Sequence, residues 1–131
     1  MRSTEDVLRP PTEAEVAEAL KRFAADLRRH YGDRLKGLYL FGSRARGDHE
    51  PFSDADVAVV LADEDWGFVR EVRQLARLAV DTLIETGVEV QGWPVSQAAW
   101  DHPENDPESA LINAMRRHAK LIEAHSEPVL E

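Results

Sequence analysis

The chain has 131 residues, of which 43% are hydrophobic and 31% charged, with 25 acidic against 16 basic side chains and a formal net charge of -9. That is enough chain for one hydrophobic core, read as a single domain over residues 1–131, and its balance excludes a disordered or membrane-spanning class. Cysteine is absent, which removes disulfide and thiolate chemistry, and no apolar run reaches the length of a membrane helix. The first residues, MRSTEDVLRPP, lack the apolar stretch of a secretory signal, so a cytoplasmic setting without membrane contact is expected. Charge is uneven: residues 1–50 carry ten basic and nine acidic side chains, a net of +1, while residues 51–131 carry six and sixteen, a net of -10. Direct nucleic-acid binding along an extended track is therefore not expected.

In chain order, Pro10-Pro11 precede Thr12-x-x-Glu15, a capping box, after which Val16, Leu20, Phe23, Ala24 and Leu27 recur at helical spacing. This predicts an amphipathic helix over 13–30. Leu35 to Phe41 reads as a strand, with Leu38 and Leu40 on one face and Tyr39 and Phe41 on the other. Residues 42–53 form a turn with at most one short helix, and Ala55 to Leu61 follows as a buried strand entered through Asp54 and Asp56. Asp63-Glu64-Asp65 suits a helix start, and Val72, Leu75, Ala76, Ala79 and Leu83 trace an apolar face ended by Gly87. Val88 to Trp93 reads as a third strand with Glu89 and Gln91 on one face. Residues 95–107 are irregular or only briefly helical, a last helix is predicted over about 108–123 with His118 on its packed face, and the tail beyond His125 is expected to fray. The fold class is thus α/β (α+β), a small mixed sheet with flanking helices.

The chemistry concentrates between Gly42 and Glu89. Side chains two apart on a strand share a face, so Asp54 and Asp56 project together, and two like charges placed so are relieved by a hard cation, magnesium first. Gly42-Ser43 supplies the complementary half: a close-approach glycine, a hydroxyl and the amides of a turn that receive phosphate oxygens, with Arg44 or Arg46 at hand for the same charge. Glu89, on the next strand, completes the metal site and draws a proton from an attacking hydroxyl if the register brings it round. Each part alone has a plainer reading as a turn, a cap or a surface charge. In this order, between two apolar strands, they reinforce one another. Trp66, Trp93 and Trp100 are too dispersed for a base-stacking platform, and the five histidines lack zinc-ligand spacing.

Gly42-Ser43-Arg44-Ala45-Arg46-Gly47 followed by Ser53-Asp54-Ala55-Asp56 before a valine-rich strand resembles the signature of the DNA polymerase beta nucleotidyltransferase superfamily, in particular its minimal nucleotidyltransferases, the MNT family. The likeness covers a motif core of about 35–95 and, more weakly, the last helix. It implies a polymerase-beta-like nucleotidyltransferase fold and metal-dependent transfer of AMP from ATP with loss of pyrophosphate. On this resemblance Asp54, Asp56 and Glu89 are the catalytic and metal-binding acids, with Gly42 and Ser43 binding the triphosphate. Two departures stand out. The third acid is more often aspartate in the family, and its common Arg-Glu-Gly sequence is replaced here by Arg116-Arg117-His118.

MNT proteins resemble the antitoxin half of toxin–antitoxin systems whose toxin is a HEPN-domain ribonuclease, so the resemblance implies AMPylation of a toxin tyrosine as the function. Two other functions stay open: a non-catalytic, partner-binding antitoxin or regulatory module, and transfer to a small molecule such as an aminoglycoside, for which 131 residues leave little room for an acceptor domain. Homo-oligomerisation is left open.

Overall fold

The structure is a computed structural model that describes residues 9–62 and 67–124. The acidic segment 63–65, read above as a helix start, and the tail beyond His125 lie outside these residues. Helix α1, Glu13–Tyr31, begins at the predicted capping box. The Thr12 hydroxyl accepts from the Glu15 N–H at 3.1 Å, and the Glu15 carboxylate accepts from the Thr12 N–H at 2.9 Å. Two of the orphan donors of the helix start are thereby satisfied. The face carrying Val16, Phe23, Ala24 and Leu27 is buried, with Leu20 packed against it, as the spacing predicts.

Strand β1, Leu35–Phe41, leads through Gly42 into a single helical turn, α2, Ser43–Arg46. Strand β2, Ala55–Leu61, returns antiparallel to β1, so that Phe41 faces Asp56 and Leu35 faces Leu61. Helix α3, Phe68–Thr86, crosses over to β3, Val90–Ser96, which runs parallel to β2 with Ala55 opposite Val90. A parallel pair needs such a crossover, and α3 provides it. Short helix α4, Gln97–Asp101, and helix α5, Ser109–Arg117, lead to β4, Lys120–Ala124, antiparallel to β1. The sheet order is β3-β2-β1-β4. This is the mixed sheet with flanking helices that the sequence predicts.

Alternation along the strands divides the core in two. Leu38 and Leu40 of β1 and Ala55, Val57, Val59 and Leu61 of β2 pack on the α1 and α3 side. Ala58 and Val60, with Tyr39 and Phe41, pack on the other side against Trp100, Ile112 and Met115. Each fully buried side chain of the size of Phe23 or Leu27 stabilises the fold by about 1.5–3 kcal/mol.

Two expectations are corrected. The helix expected over about 108–123 stops at Arg117, and residues 120–124 form the fourth strand; the edge of β1 offers Lys120 to Ala124 a ladder of backbone hydrogen bonds that a continued helix would forgo. His118 consequently sits exposed in the turn between them rather than packed. The buried face of α3 keeps Leu75 and Ala79 from the predicted one but is rotated away from Ala76 and Leu83. Glu71, Leu75 and Thr82 are buried, with Leu78 and Ala79 beside them, whereas Ala76, Val80 and Leu83 are exposed.

Candidate active site

Topology assembles the site. Antiparallel pairing brings the C-terminal end of β1, with Gly42 and Ser43, to the N-terminal end of β2, and parallel pairing sets the start of β3 beside that same end. Glu89 immediately precedes β3, and its carbonyl accepts from the Ala55 N–H at 3.0 Å, which places Glu89 next to Asp54. Ala55 and Val90 face the α1 and α3 side. Alternation therefore turns Asp54, Asp56, Glu89 and Gln91 to the opposite face.

Gly42 has φ +75°, a conformation that side-chain-bearing residues rarely adopt, and a Cβ built there would lie 2.7 Å from Asp56 Oδ2. Only glycine lets the chain turn this close to the carboxylate. The Ala45 and Arg46 N–H groups both donate to the Gly42 carbonyl at 3.1 Å, closing the α2 turn directly against the acidic strand end.

Arg44 is buried and turned into the loop that follows. Its Nε donates to the Ser53 carbonyl at 2.9 Å and a terminal nitrogen to the Pro51 carbonyl at 3.4 Å, while Glu13 of α1 lies 3.8 Å away. His49 reaches the same Glu13 carboxylate at 3.1 Å, and the Ser53 hydroxyl accepts from the Glu50 N–H at 2.9 Å. Arg44 is thus a strut that fixes the approach to Asp54 onto α1. Arg46 is exposed, with its Nε 3.2 Å from Asp48 Oδ2.

The three carboxylates are electrostatically coupled. Burial, and then the charge of Asp54, push the Asp56 carboxyl above its ordinary value. The Asp54 charge is the first cause of the upward shift of Glu89, followed by burial and by a hydrogen bond between the two side chains. The Trp93 indole lies near enough to Asp56 to favour its charged form, yet its N–H stays outside hydrogen-bond geometry and is buried without a partner. No basic side chain offsets this repulsion among the described residues. Nor, among those residues, do three acids or histidines converge closely enough to hold a metal as they stand. The donor set nevertheless suits a divalent cation, which would remove the repulsion that proton uptake otherwise relieves.

Trp93 was not singled out from the sequence as part of the site, although residues 89, 91 and 93 share a face by the period of a strand. Among the described residues no helix is long and apolar enough to cross a membrane.

A mixed sheet with a glycine turn against a strand-borne acid pair is the architecture of a nucleotidyltransferase, and the Nucleotidyltransferase domain family matches residues 20–113 of the chain. The chain belongs to that family and is a nucleotidyltransferase. It is 32% identical over 95 residues to the putative protein adenylyltransferase MJ0604 of Methanocaldococcus jannaschii, covering 72% of this chain and 94% of that protein. A second protein of that organism, the putative protein adenylyltransferase MJ0141, is 32% identical over 65 residues, covering 50% and 64%. Among solved structures, a putative nucleotidyltransferase from Sulfolobus solfataricus shares the fold with a TM-score of 0.54 at 15% identity, over 87% of this chain and 90% of that one. A toxin–antitoxin structure with AMP-PNP shares it with a TM-score of 0.52 at 21% identity, over 79% and 72%.

Proposed function

We propose that the chain transfers AMP from ATP to a hydroxyl on a protein, a tyrosine of a HEPN-type toxin, and so acts as that toxin's antitoxin. The observation that carries the reading is the juxtaposition of the Gly42-Ser43 turn with Asp54, Asp56 and Glu89 at one end of the sheet. The putative protein adenylyltransferases among the relatives and the toxin–antitoxin among the structural neighbours support the choice of acceptor.

In this reaction the acceptor oxygen forms a bond to the α-phosphorus of ATP, the bond from that phosphorus to the β-phosphate oxygen breaks, and pyrophosphate leaves. Gly42 and Ser43 hold the triphosphate, with Arg46 at the outer side of the turn. Arg44 acts through the loop: it positions the strand entrance rather than touching phosphate. Glu89 stands to take the hydroxyl proton, its neighbour Asp54 raising its proton affinity. Asp54, Asp56 and Glu89 would hold magnesium, which when bound polarises the α-phosphate and draws the acceptor hydroxyl toward deprotonation.

The test is mass spectrometry of the neighbouring gene's purified product after incubation with this chain, ATP and magnesium. An AMP-sized addition on a partner tyrosine, absent with D54A/D56A and absent when EDTA removes the metal, is expected. A stable inhibitory complex without covalent addition would favour a binding-only antitoxin, and modification of an aminoglycoside with none of the partner would favour a metabolite acceptor.

A further inference from the structure

β3 ends the sheet on the side of the carboxylates, and its outer edge has no strand partner among the described residues. The Glu89 carbonyl is bonded to β2, so along a parallel pair the backbone groups of 89, 91 and 93 point inward and those of Val90 and Gly92 point outward. The next outward position is Pro94, which has no N–H to give. The open ladder is therefore one short frame, Val90 to Gly92, immediately beside Glu89.

A groove of about 380 Å³ runs along this frame. Its floor includes Val90 and Gly92, and its far wall is the exposed flank of α3: Val72, Ala76, Val80 and Leu83. Gly92 lets helix and strand approach, since a Cβ there would lie 3.3 Å from the Leu75 side chain. Asp54 and Glu89 stand at the groove's mouth. These features combine backbone hydrogen-bonding groups on one side, an apolar wall on the other and two acids at the end, which is how a sheet edge captures an extended peptide.

We propose that this groove docks an extended segment of the acceptor protein, which adds as a short strand to β3, seats an apolar side chain against α3 and delivers its hydroxyl residue to Glu89 and Asp54. The proposal rests on the protein-acceptor reading above and names how that acceptor is held. Charge selects the occupant: the mouth is acidic and the chain carries a net -9, so a segment with basic flanks is attracted, whereas a second copy of this chain is repelled. Pro94 limits the pairing to the few residues that place a hydroxyl at the mouth.

The test is amide hydrogen exchange on the full chain, alone and with a capped eight-residue peptide that alternates lysine and valine about a central tyrosine. Exchange at Val90 and Gly92 should slow by about tenfold or more, with Gln91 and Trp93, already bonded to β2, little changed. V80K, at a half-exposed position, should leave the melting temperature unchanged while removing that protection. A V80K chain should also show an about tenfold higher KM for a protein acceptor identified by mass spectrometry. Unchanged exchange at Val90 and Gly92 with peptide at about 1 mM overturns the proposal. Protection that instead grows with the concentration of the chain alone assigns the edge to a second copy and overturns it too. The exchange readout needs no catalysis, so if no protein is ever adenylylated the acceptor reading fails separately from the groove.

Discussion

Gly42 meets two demands at once, a positive φ and the absence of any atom between the backbone and Asp56. Replacing it with alanine imposes both penalties, so G42A should cost about 1–3 kcal/mol of stability in urea unfolding. Its kcat/KM should fall by about 100-fold, because the displaced carboxylate leaves its working position. Glu89 presents the opposite case: it is exposed, and the charge of Asp54 is the largest influence on its carboxyl. E89Q should therefore change folding stability by no more than about 0.5 kcal/mol. Its turnover, followed as pyrophosphate release with the true acceptor, should drop by about 100-fold or more. Equal turnover in a folded E89Q chain would remove the charge of Glu89 from the mechanism. The acid pair at the entrance to β2 and the glycine turn were legible because each carries its chemistry in its own side chain or lack of one. Arg44 was not: sequence ranks an arginine beside a phosphate turn as a ligand, and only tertiary structure reveals that its donors reach the carbonyls of Ser53 and Pro51.

Among the elements, α3 shows why a helical face can be misjudged. Hydropathy favours Val72, Ala76 and Leu83 as the core side, but the helix buries Glu71, whose carboxylate is satisfied locally, and Thr82, whose hydroxyl is buried without a hydrogen-bond partner. Glu71 accepts from the Tyr31 hydroxyl at 3.0 Å and from Arg70 Nε at 3.1 Å, and Arg34 lies 3.7 Å away. Burial acts to raise its pKa, but the Tyr31 hydrogen bond and the charges of Arg70 and Arg34 outweigh it and hold the carboxyl below the ordinary glutamate range. Because the folded value is lowered, the stabilisation is complete above the unfolded value and fades as pH falls through the folded one. E71Q should accordingly cost about 2 kcal/mol at neutral pH by denaturant titration. That difference should shrink below about pH 4; a constant one would deny the carboxylate its charged role. α1, β1 and β2 were legible because a capping box and strict alternation are local signals. β4 was not, since Leu121 and Ile122 also continue the helical spacing of α5, and the choice is made by β1, some eighty residues earlier in the chain.

Across the whole molecule, the fold gathers the candidate site at one end of the sheet, while α1 and α3 cover one face and α4 and α5 cover the other. The charge follows a related asymmetry, with net +1 in residues 1–50 and net -10 in residues 51–131, the part that supplies β2, β3 and both acids at the groove mouth. An acidic field of this kind draws a basic protein toward the site before contact and contributes little once the partner is seated. The two stages separate in kinetics. Raising salt from about 50 to about 500 mM shortens the screening length well below molecular dimensions, so kcat/KM for a basic protein acceptor should fall by about tenfold. At saturating acceptor and ATP, kcat should hold nearly constant, because the reacting groups are already in contact. Steady-state rates across a salt series at fixed free magnesium read both quantities. If kcat/KM stayed flat over that range, the acidic half would be a matter of solubility, and acceptor recognition would lie wholly in short-range contacts.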